Sequence, residues 1–200
     1  MGSVYNFSKI LSMSLSPSTT PLLKMYSFKY ITNAMKCSMK VIFDSSTLIL
    51  LAKIDLLRTA ADKFDCVITE EVKEESTRKT GSFDAKMISE LIKEDKIKIE
   101  KTERRKNLEY EFNLGEGEAS VLSLAHSKKA IIATDDRLTI NACKILSIKF
   151  VTAIDFVIRS FEKGEIGGEE AKLKIGKLDE YGRYDRKIIE SGLKKIGDKK

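Results

Sequence analysis

Short apolar runs alternate with longer segments of helical periodicity from Lys40 to Gly164, and this alternation constrains the fold more than any other feature. The runs have the length of buried strands, and the segments between them repeat apolar residues at helical spacing. The runs are VIF (41–43), CVI (66–68), KIKIE (96–100), AIIAT (130–134) and IKFV (148–151). Strands separated by helices indicate βαβ units. We therefore predict an α/β fold of three layers, α/β/α, with helices on both faces of a mainly parallel central sheet.

The segments between the strands carry helix signals of different strength. Residues 46–64 read as helical throughout, and Thr69 and Ser82 are suitable N-caps for the helices that follow them. Residues 101–113 read as a charged connection. No strand is predicted after Gly164, and residues 165–200 contain two helical patterns. We predict a domain over residues 39–164 and a C-terminal helical appendage over residues 165–200.

Residues 1–38 differ in composition from the rest of the chain. They contain both prolines and no acidic residue, and their apolar residues show little periodicity. We interpret this stretch as a disordered or non-native extension, with Met39 as a natural start. Because five of the lysines lie in residues 1–40, the net charge of +6 is mainly a property of the extension and is a weak sign of a nucleic-acid partner.

The cysteines and the hydropathy exclude several classes of protein. The three cysteines, Cys37, Cys66 and Cys143, are scattered and form no CxxC pair. This argues against a disulfide scaffold and a zinc ribbon, and it fits a reducing compartment. No stretch reaches the roughly 18 apolar residues of a membrane span. We expect a cytoplasmic protein with no membrane partner.

Acidic residues directly follow two of the predicted strands. Asp44 follows the first run, and Thr134 with the pair Asp135 and Asp136 ends the AIIATDD stretch. The carboxyl ends of parallel strands lie at the same edge of a sheet, where ligands bind in open α/β folds, so these acids should converge. Each of them could instead serve only as a helix cap, because aspartate is favoured at that position.

Two glutamates on predicted helices lie at the spacing of apolar residues. Glu75 follows Val72 by three positions, and Glu118 precedes Val121 by three. We expect both side chains to face inward, and Glu74 is the alternative to Glu75. Several inward carboxylates need a counter-charge, because burying an unpaired charge costs several kcal/mol, as an order of magnitude. Oxygen ligands favour Mg²⁺ or Mn²⁺, and such a site suits hydrolysis of phosphodiester bonds.

Four motifs resemble, in order, those of the PIN-domain family of metal-dependent ribonucleases, over roughly Met39 to Gly164. They are VIFDSSTLILLAK, VITEEVKEES, LGEGEASVLSLA and IIATDDRLTINACKILSIKFVTAIDFV. The resemblance implies a PIN-like fold and selects one acid from each motif as catalytic. These acids are Asp44, Glu75, Glu118 and Asp136.

The resemblance also implies cofactors and partners. A member of this family would cleave RNA with Mg²⁺ or Mn²⁺ held by Asp44, Glu118, Asp135 and Asp136, with Ser46 and Thr134 as supporting polar groups. Many members are VapC-type toxins that an antitoxin inhibits and that form dimers. An antitoxin protein and a homodimer are therefore candidate partners, beside the RNA substrate.

Other functions compete with a nuclease. A catalytically silent PIN-like module would bind RNA or protein without cutting. A haloacid-dehalogenase-like phosphatase would need a second aspartate two residues after the first, where this chain has Ser46. The basic residues Arg104, Arg105 and Lys106 are candidate RNA contacts, although such runs are usually solvated loops and we favour that interpretation.

Overall fold

The computed structural model describes residues 39–103, 106–182 and 184–197, except for the side chain of Lys106. The extension predicted for residues 1–38 lies outside the described residues, as do the predicted RNA contacts Arg104 and Arg105. Lys106 is described only as the first residue of a helix. None of the helices described is long and apolar enough to cross a membrane.

Five strands form one parallel sheet in the described part of the chain. They are β1 (Lys40–Phe43), β2 (Asp65–Ile68), β3 (Ile97–Ile99), β4 (Ile131–Ala133) and β5 (Phe150–Val151). Their order is β3-β2-β1-β4-β5, and all four pairings are parallel. Val41, Ile42 and Phe43 of the central strand are fully buried, as expected for a strand covered on both faces.

Ten helices flank this sheet within the described residues. They are α1 (Ser45–Lys53), α2 (Leu57–Lys63), α3 (Glu70–Thr77), α4 (Phe83–Lys93), α5 (Lys106–Phe112), α6 (Glu116–Lys128), α7 (Arg137–Ile145), α8 (Ala153–Glu162), α9 (Gly168–Tyr181) and α10 (Arg186–Gly197). Their arrangement around the sheet confirms the predicted three-layer fold, and α9 and α10 confirm the two C-terminal helices.

Two segments differ from the prediction. The helical stretch predicted over residues 46–64 is two helices, because Asp55 between α1 and α2 has a φ of 55°, outside the right-handed helical range. The charged connection predicted over residues 101–113 contains the short helix α5. Leu108 and Phe112 are its one pair of half-buried apolar residues at helical spacing, and a single pair was not enough to predict a helix.

Single polar residues join several strands to the helices that follow them. Asp44 separates β1 from α1 and caps that helix, and Thr69 does the same between β2 and α3. The hydroxyl of Ser82 accepts a hydrogen bond from the backbone N–H of Ala85, so the caps predicted at Thr69 and Ser82 are confirmed. Short connections of this kind bring helix N-termini to the carboxyl edge of the sheet.

The C-terminal helices pack against the rest of the domain. Helix α9 contacts α8 and α10, and the buried Lys174 of α9 donates hydrogen bonds to the carbonyls of Ile54 (2.8 Å) and Asp55 (3.2 Å). These carbonyls lie just beyond the end of α1. The contact therefore ties α9 to the break between α1 and α2.

Candidate active site

The strand order changes direction between β1 and β4, and the candidate site lies at this point. Strands β2 and β3 extend to one side of β1, whereas β4 and β5 extend to the other. The backbone N–H of Asp44 donates to the carbonyl of Ala133 (3.0 Å), so the residues that follow the two strands meet. Open α/β sheets bind ligands in the crevice outside such a switch point.

Asp44 is a buried carboxylate whose hydrogen-bond partners are all uncharged. Its Oδ1 accepts from the backbone N–H of Thr47 (2.7 Å) and from the hydroxyl of Ser46 (3.0 Å), and its Oδ2 accepts from the hydroxyl of Thr134. Burial raises the pKa of Asp44 from 3.8 to about 7, with a smaller contribution from the charge of Asp135. The site therefore holds an acid that is expensive to ionise unless a cation is present.

Asp135 is held by donors from three other parts of the chain. Its Oδ2 accepts from the hydroxyl of Thr47 (2.7 Å) and from the backbone N–H of Ala153 (3.0 Å), and its Oδ1 accepts from the hydroxyl of Tyr184. Burial is the main reason that the pKa of Asp135 is raised. Thr47 therefore connects Asp44 and Asp135, through its N–H and its hydroxyl.

Asp136 lies at the start of α7 and caps that helix. Its Oδ1 accepts from the backbone N–H (2.8 Å) and from the hydroxyl (3.0 Å) of Thr139. The hydroxyl of Thr134 accepts from the backbone N–H of Asp136 (3.2 Å) while it donates to Asp44. The supporting groups predicted at Ser46 and Thr134 thus both contact Asp44, and their functional role stays a prediction.

Glu118 belongs to the first turn of α6 and caps its own helix. Its Oε2 accepts from the backbone N–H of Gly115 (2.6 Å). Burial raises the pKa of Glu118, the hydrogen bond from Gly115 opposes the rise, and the charges of Asp136 and Glu75 add to it. Glu118 therefore lies near both of these acids.

Glu75 is exposed, and the prediction that it faces inward is wrong in that respect. The buried position one turn after Val72 belongs to Ser76. The Glu75 carboxylate nevertheless reaches α6, because a Cβ placed on Gly117 would lie 3.2 Å from its Oε2. This proximity distinguishes Glu75 from Glu74, although the role of either stays a prediction.

An open acidic cleft of about 370 Å³ lies between α3 and the start of α6. The residues that line it are Glu71, Glu74, Glu75, Arg78, Gly115, Glu116, Gly117 and Glu118. The N-terminus of α6 is held near the same sheet edge, because the hydroxyls of Ser120 and Thr69, the residue after β2, are 2.7 Å apart. The structure thus brings together two groups of predicted acids, Asp44 with Asp135, and Glu75 with Glu118 and Asp136.

The donor chemistry of this edge fits a hard divalent cation, because its acids offer carboxylate oxygens and hydroxyl groups lie beside them. Within the described residues no set of three or more His, Cys, Asp or Glu side chains is placed to hold a metal. Mg²⁺ is usually held by one or two carboxylates and keeps several waters, so a closed set of three is not required.

Sequence patterns missed three residues of the site. Thr47 has the pattern of an ordinary third residue in a capped helix, and only the fold shows that its hydroxyl reaches Asp135. Tyr184 lies 49 residues from Asp135 along the chain, and no local pattern connects the two residues. Arg78 lines the acidic cleft, and no local motif marks it.

The order of the strands and the acids at the carboxyl edge define a class of α/β proteins with an acidic site at the switch point. A family model described as a PIN domain matches residues 40–198. The match covers more than half of the chain, so the protein belongs to the PIN-domain family, as its ordered motifs predicted. PIN domains are generally nucleases, and membership supports a nuclease-type fold. No curated protein matches the sequence closely enough to act as a guide to its function.

Proposed function

We propose that the protein is an endoribonuclease that hydrolyses RNA phosphodiester bonds with Mg²⁺ or Mn²⁺. The observation that carries this proposal is Asp44, a buried carboxylate with three uncharged hydrogen-bond partners and an acidic neighbour, Asp135. A divalent cation would supply the positive charge that such an acid needs in order to stay ionised. Family membership supports the reaction class.

Asp136 and Glu118 would hold the cation through oxygens at the edge of the sheet, and Asp44 would be the buried acid beside them, connected to Asp136 through Thr134. A bound Mg²⁺ or Mn²⁺ supplies an activated water and neutralises charge on the phosphate. The protein's own contribution is to fix the acids. The helix N-termini of α1 and α7 hold Asp44 and Asp136, and Thr134 joins these two residues.

Glu75 and Arg78 would act on the substrate side of the cleft. Both side chains are exposed on α3 or just beyond it, and neither makes a hydrogen bond or ion pair within the described structure. Glu75 can accept a hydrogen bond from the attacking water, and the Arg78 guanidinium can contact a phosphate oxygen. Cation binding and Arg78 together would offset the repulsion between RNA and the glutamates of the cleft.

Cleavage of a mixed RNA pool with Mg²⁺, with Mn²⁺ and with EDTA tests the proposal. We expect metal-dependent cutting that Asp44→Asn and Asp136→Asn each reduce by at least roughly 100-fold, the scale for removal of a charge-stabilising group. Asp179→Asn is the matched control, because Asp179 is exposed on α9, and it should cut as wild type does. Equal activity in all variants would mean that the cutting arises elsewhere.

The silent module makes a different set of predictions. RNA binding without cutting, together with no heat of Mn²⁺ binding in calorimetry, would favour that module over a nuclease. The phosphatase alternative needs an accessible nucleophile, whereas Asp44 is only 2% exposed. Hydrolysis of a phosphate monoester that Asp44→Asn abolishes would be required to support it.

A protein partner is a second proposal, and the surface of α7 favours it. Leu138 and Ile145 are 43% and 70% exposed, and their spacing of seven places them on one face of the helix that Asp136 caps. An antitoxin or a second copy of the chain would cover these side chains beside the acidic site. Light scattering of the purified chain, with Ile145→Asp as the variant, distinguishes a dimer from a monomer that awaits another partner.

A further inference from the structure

Tyr184 connects the C-terminal helices to the acidic edge of the sheet. It lies between α9 and α10, and its hydroxyl donates a hydrogen bond to Oδ1 of Asp135. The same carboxylate accepts from the hydroxyl of Thr47 (2.7 Å) and from the first backbone N–H of α8, that of Ala153 (3.0 Å). One carboxylate thus joins α1, α8 and the appendage.

Gly182 allows the Tyr184 ring to reach this position. A Cβ on Gly182 would lie 2.7 Å from Cε2 of Tyr184 and 2.8 Å from the carbonyl oxygen of Leu178. Contacts this short require a shift of the ring or of the end of α9. The close approach of ring and backbone therefore depends on glycine at this position.

The contacts continue from Asp135 to the candidate catalytic acid. Thr47 donates through its hydroxyl to Asp135 and through its backbone N–H to Oδ1 of Asp44 (2.7 Å). The appendage also holds the other end of α1, through the hydrogen bond from Lys174 to the carbonyl of Ile54 (2.8 Å). The appendage therefore fixes α1 from both ends.

We propose that Tyr184 is a positioning residue that sets the location of Asp44 through Asp135 and Thr47. The C-terminal helices α9 and α10 then help to form the acidic site and are not a separate appendage. As far as it concerns catalysis, this inference rests on the proposed nuclease function. The positioning itself is a property of the protein without substrate.

Tyr184→Phe tests the inference, because it removes the hydroxyl and keeps the ring. Tyr181→Phe is the matched control, since Tyr181 is 44% exposed and its ring lies 5.4 Å from Nζ of Lys53, outside the hydrogen-bonded chain. We expect backbone amide exchange at Thr47 and Ala153, followed by NMR, to become about three- to tenfold faster in Tyr184→Phe, the factor that one hydrogen bond represents. The control should leave both rates unchanged.

The kinetic readout, with kcat calculated per folded molecule, tests whether the positioning of Asp44 affects catalysis. We expect Tyr184→Phe to lower kcat for RNA cleavage about tenfold, as loss of an outer partner of a ligand does, with KM unchanged. Gly182→Ala should change the exchange rates and kcat in the same direction. Wild-type exchange at Thr47 and Ala153 in both variants would overturn the inference.

Failure of the proposed function gives a different result. If wild-type protein cuts no RNA with either metal, the nuclease proposal fails, and the exchange rates at Thr47 and Ala153 still decide whether Tyr184 positions the acids. If the exchange rates change as expected but kcat in Tyr184→Phe equals that of wild type, the positioning does not reach catalysis and the inference is refuted in that part.

Discussion

Replacing Asp44 with asparagine tests whether burial of its ionised carboxylate lowers the stability of the folded protein. Asp44 is 2% exposed, and it accepts hydrogen bonds from Thr47, Ser46 and Thr134. Asparagine has nearly the same shape without the charge. Its carbonyl can accept from Thr47, and its amide can donate to Thr134, whose hydroxyl can rotate to accept. We therefore expect Asp44→Asn to fold and to be more stable than wild type at pH 8.

The size of this gain follows from the pKa of Asp44, which burial raises from 3.8 to about 7. Because the folded-state pKa lies above the unfolded value, the stability contributed by the bound proton is fully present below about pH 4 and is lost as the pH rises through 7. One pKa unit corresponds to about 1.4 kcal/mol, so the whole shift corresponds to about 4 kcal/mol. Asp44→Asn should exceed wild type in free energy of unfolding by almost nothing at pH 4 and by about 2–4 kcal/mol at pH 8. The lower value allows for water that enters the site.

Urea unfolding between pH 4 and pH 8 in EDTA measures this difference. Asp179→Asn, an exposed change on α9, is the control and should show no comparable trend with pH. Adding Mg²⁺ at pH 8 should stabilise wild type by mass action and narrow its gap to Asp44→Asn. A difference between wild type and Asp44→Asn that stays constant across the pH range would refute the argument, because it would show that the ionised carboxylate is not costly to bury.

Two substitutions and one chemical modification test the packing of the domain. Lys174→Met should lower the free energy of unfolding by about 1–3 kcal/mol, because carbonyls beyond the end of α1 lose a donor. Urea unfolding measures the loss, with Lys177→Met at an exposed position of α9 as the control. Equal losses in the two variants would contradict the contact. Gly192→Ala should destabilise the protein in thermal denaturation, because its Cβ would lie 2.8 Å from an isoleucine methyl group of α8. Overpacking costs about 1–3 kcal/mol, against a gain of roughly 1 kcal/mol from removing a helical glycine. An unchanged melting temperature would show looser packing. Burial raises the pKa of Cys66 and of Cys143 to about 12. A thiol reagent at pH 8 should therefore modify neither cysteine until the protein is denatured. Fast modification of either one in the folded state would contradict their burial.

The fold was predictable because its main signal is local. A buried parallel strand needs only a short apolar run, and the helices between strands show their own periodicity. The break at Asp55 was not predictable in this way. Lys174, far along the chain, donates to the carbonyls of Ile54 and Asp55, so a contact distant in sequence helps to fix the point where α1 ends. Local periodicity contains no information about such a contact.

The candidate site was predictable to the extent that topology determines it. Acids within two residues of the ends of β1 and β4 must meet once the strands are parallel neighbours, and Asp44 and Asp135 do so. Glu75 was harder, because a helix buries the residue four positions after Val72 as readily as the one three positions after it, and Ser76 occupies that place. Tyr184 reaches the site only through tertiary packing of α9 and α10.

Helix capping and cation binding are compatible roles for these acids, and the way in which each acid caps predicts which of them can bind a cation. Asp136 and Glu118 each use one oxygen for capping, Oδ1 and Oε2, and their other oxygens accept no hydrogen bond within the described structure. Asp44 and Asp135 differ, because donors occupy both oxygens of each. A carboxylate with a free oxygen can coordinate a cation without losing its cap, whereas Asp135 would have to give up hydrogen bonds to Thr47 or Tyr184. We therefore expect calorimetry to show a larger loss of Mn²⁺ affinity in Asp136→Asn than in Asp135→Asn, and the opposite order would mean that Asp135 gives up its donors to bind the metal.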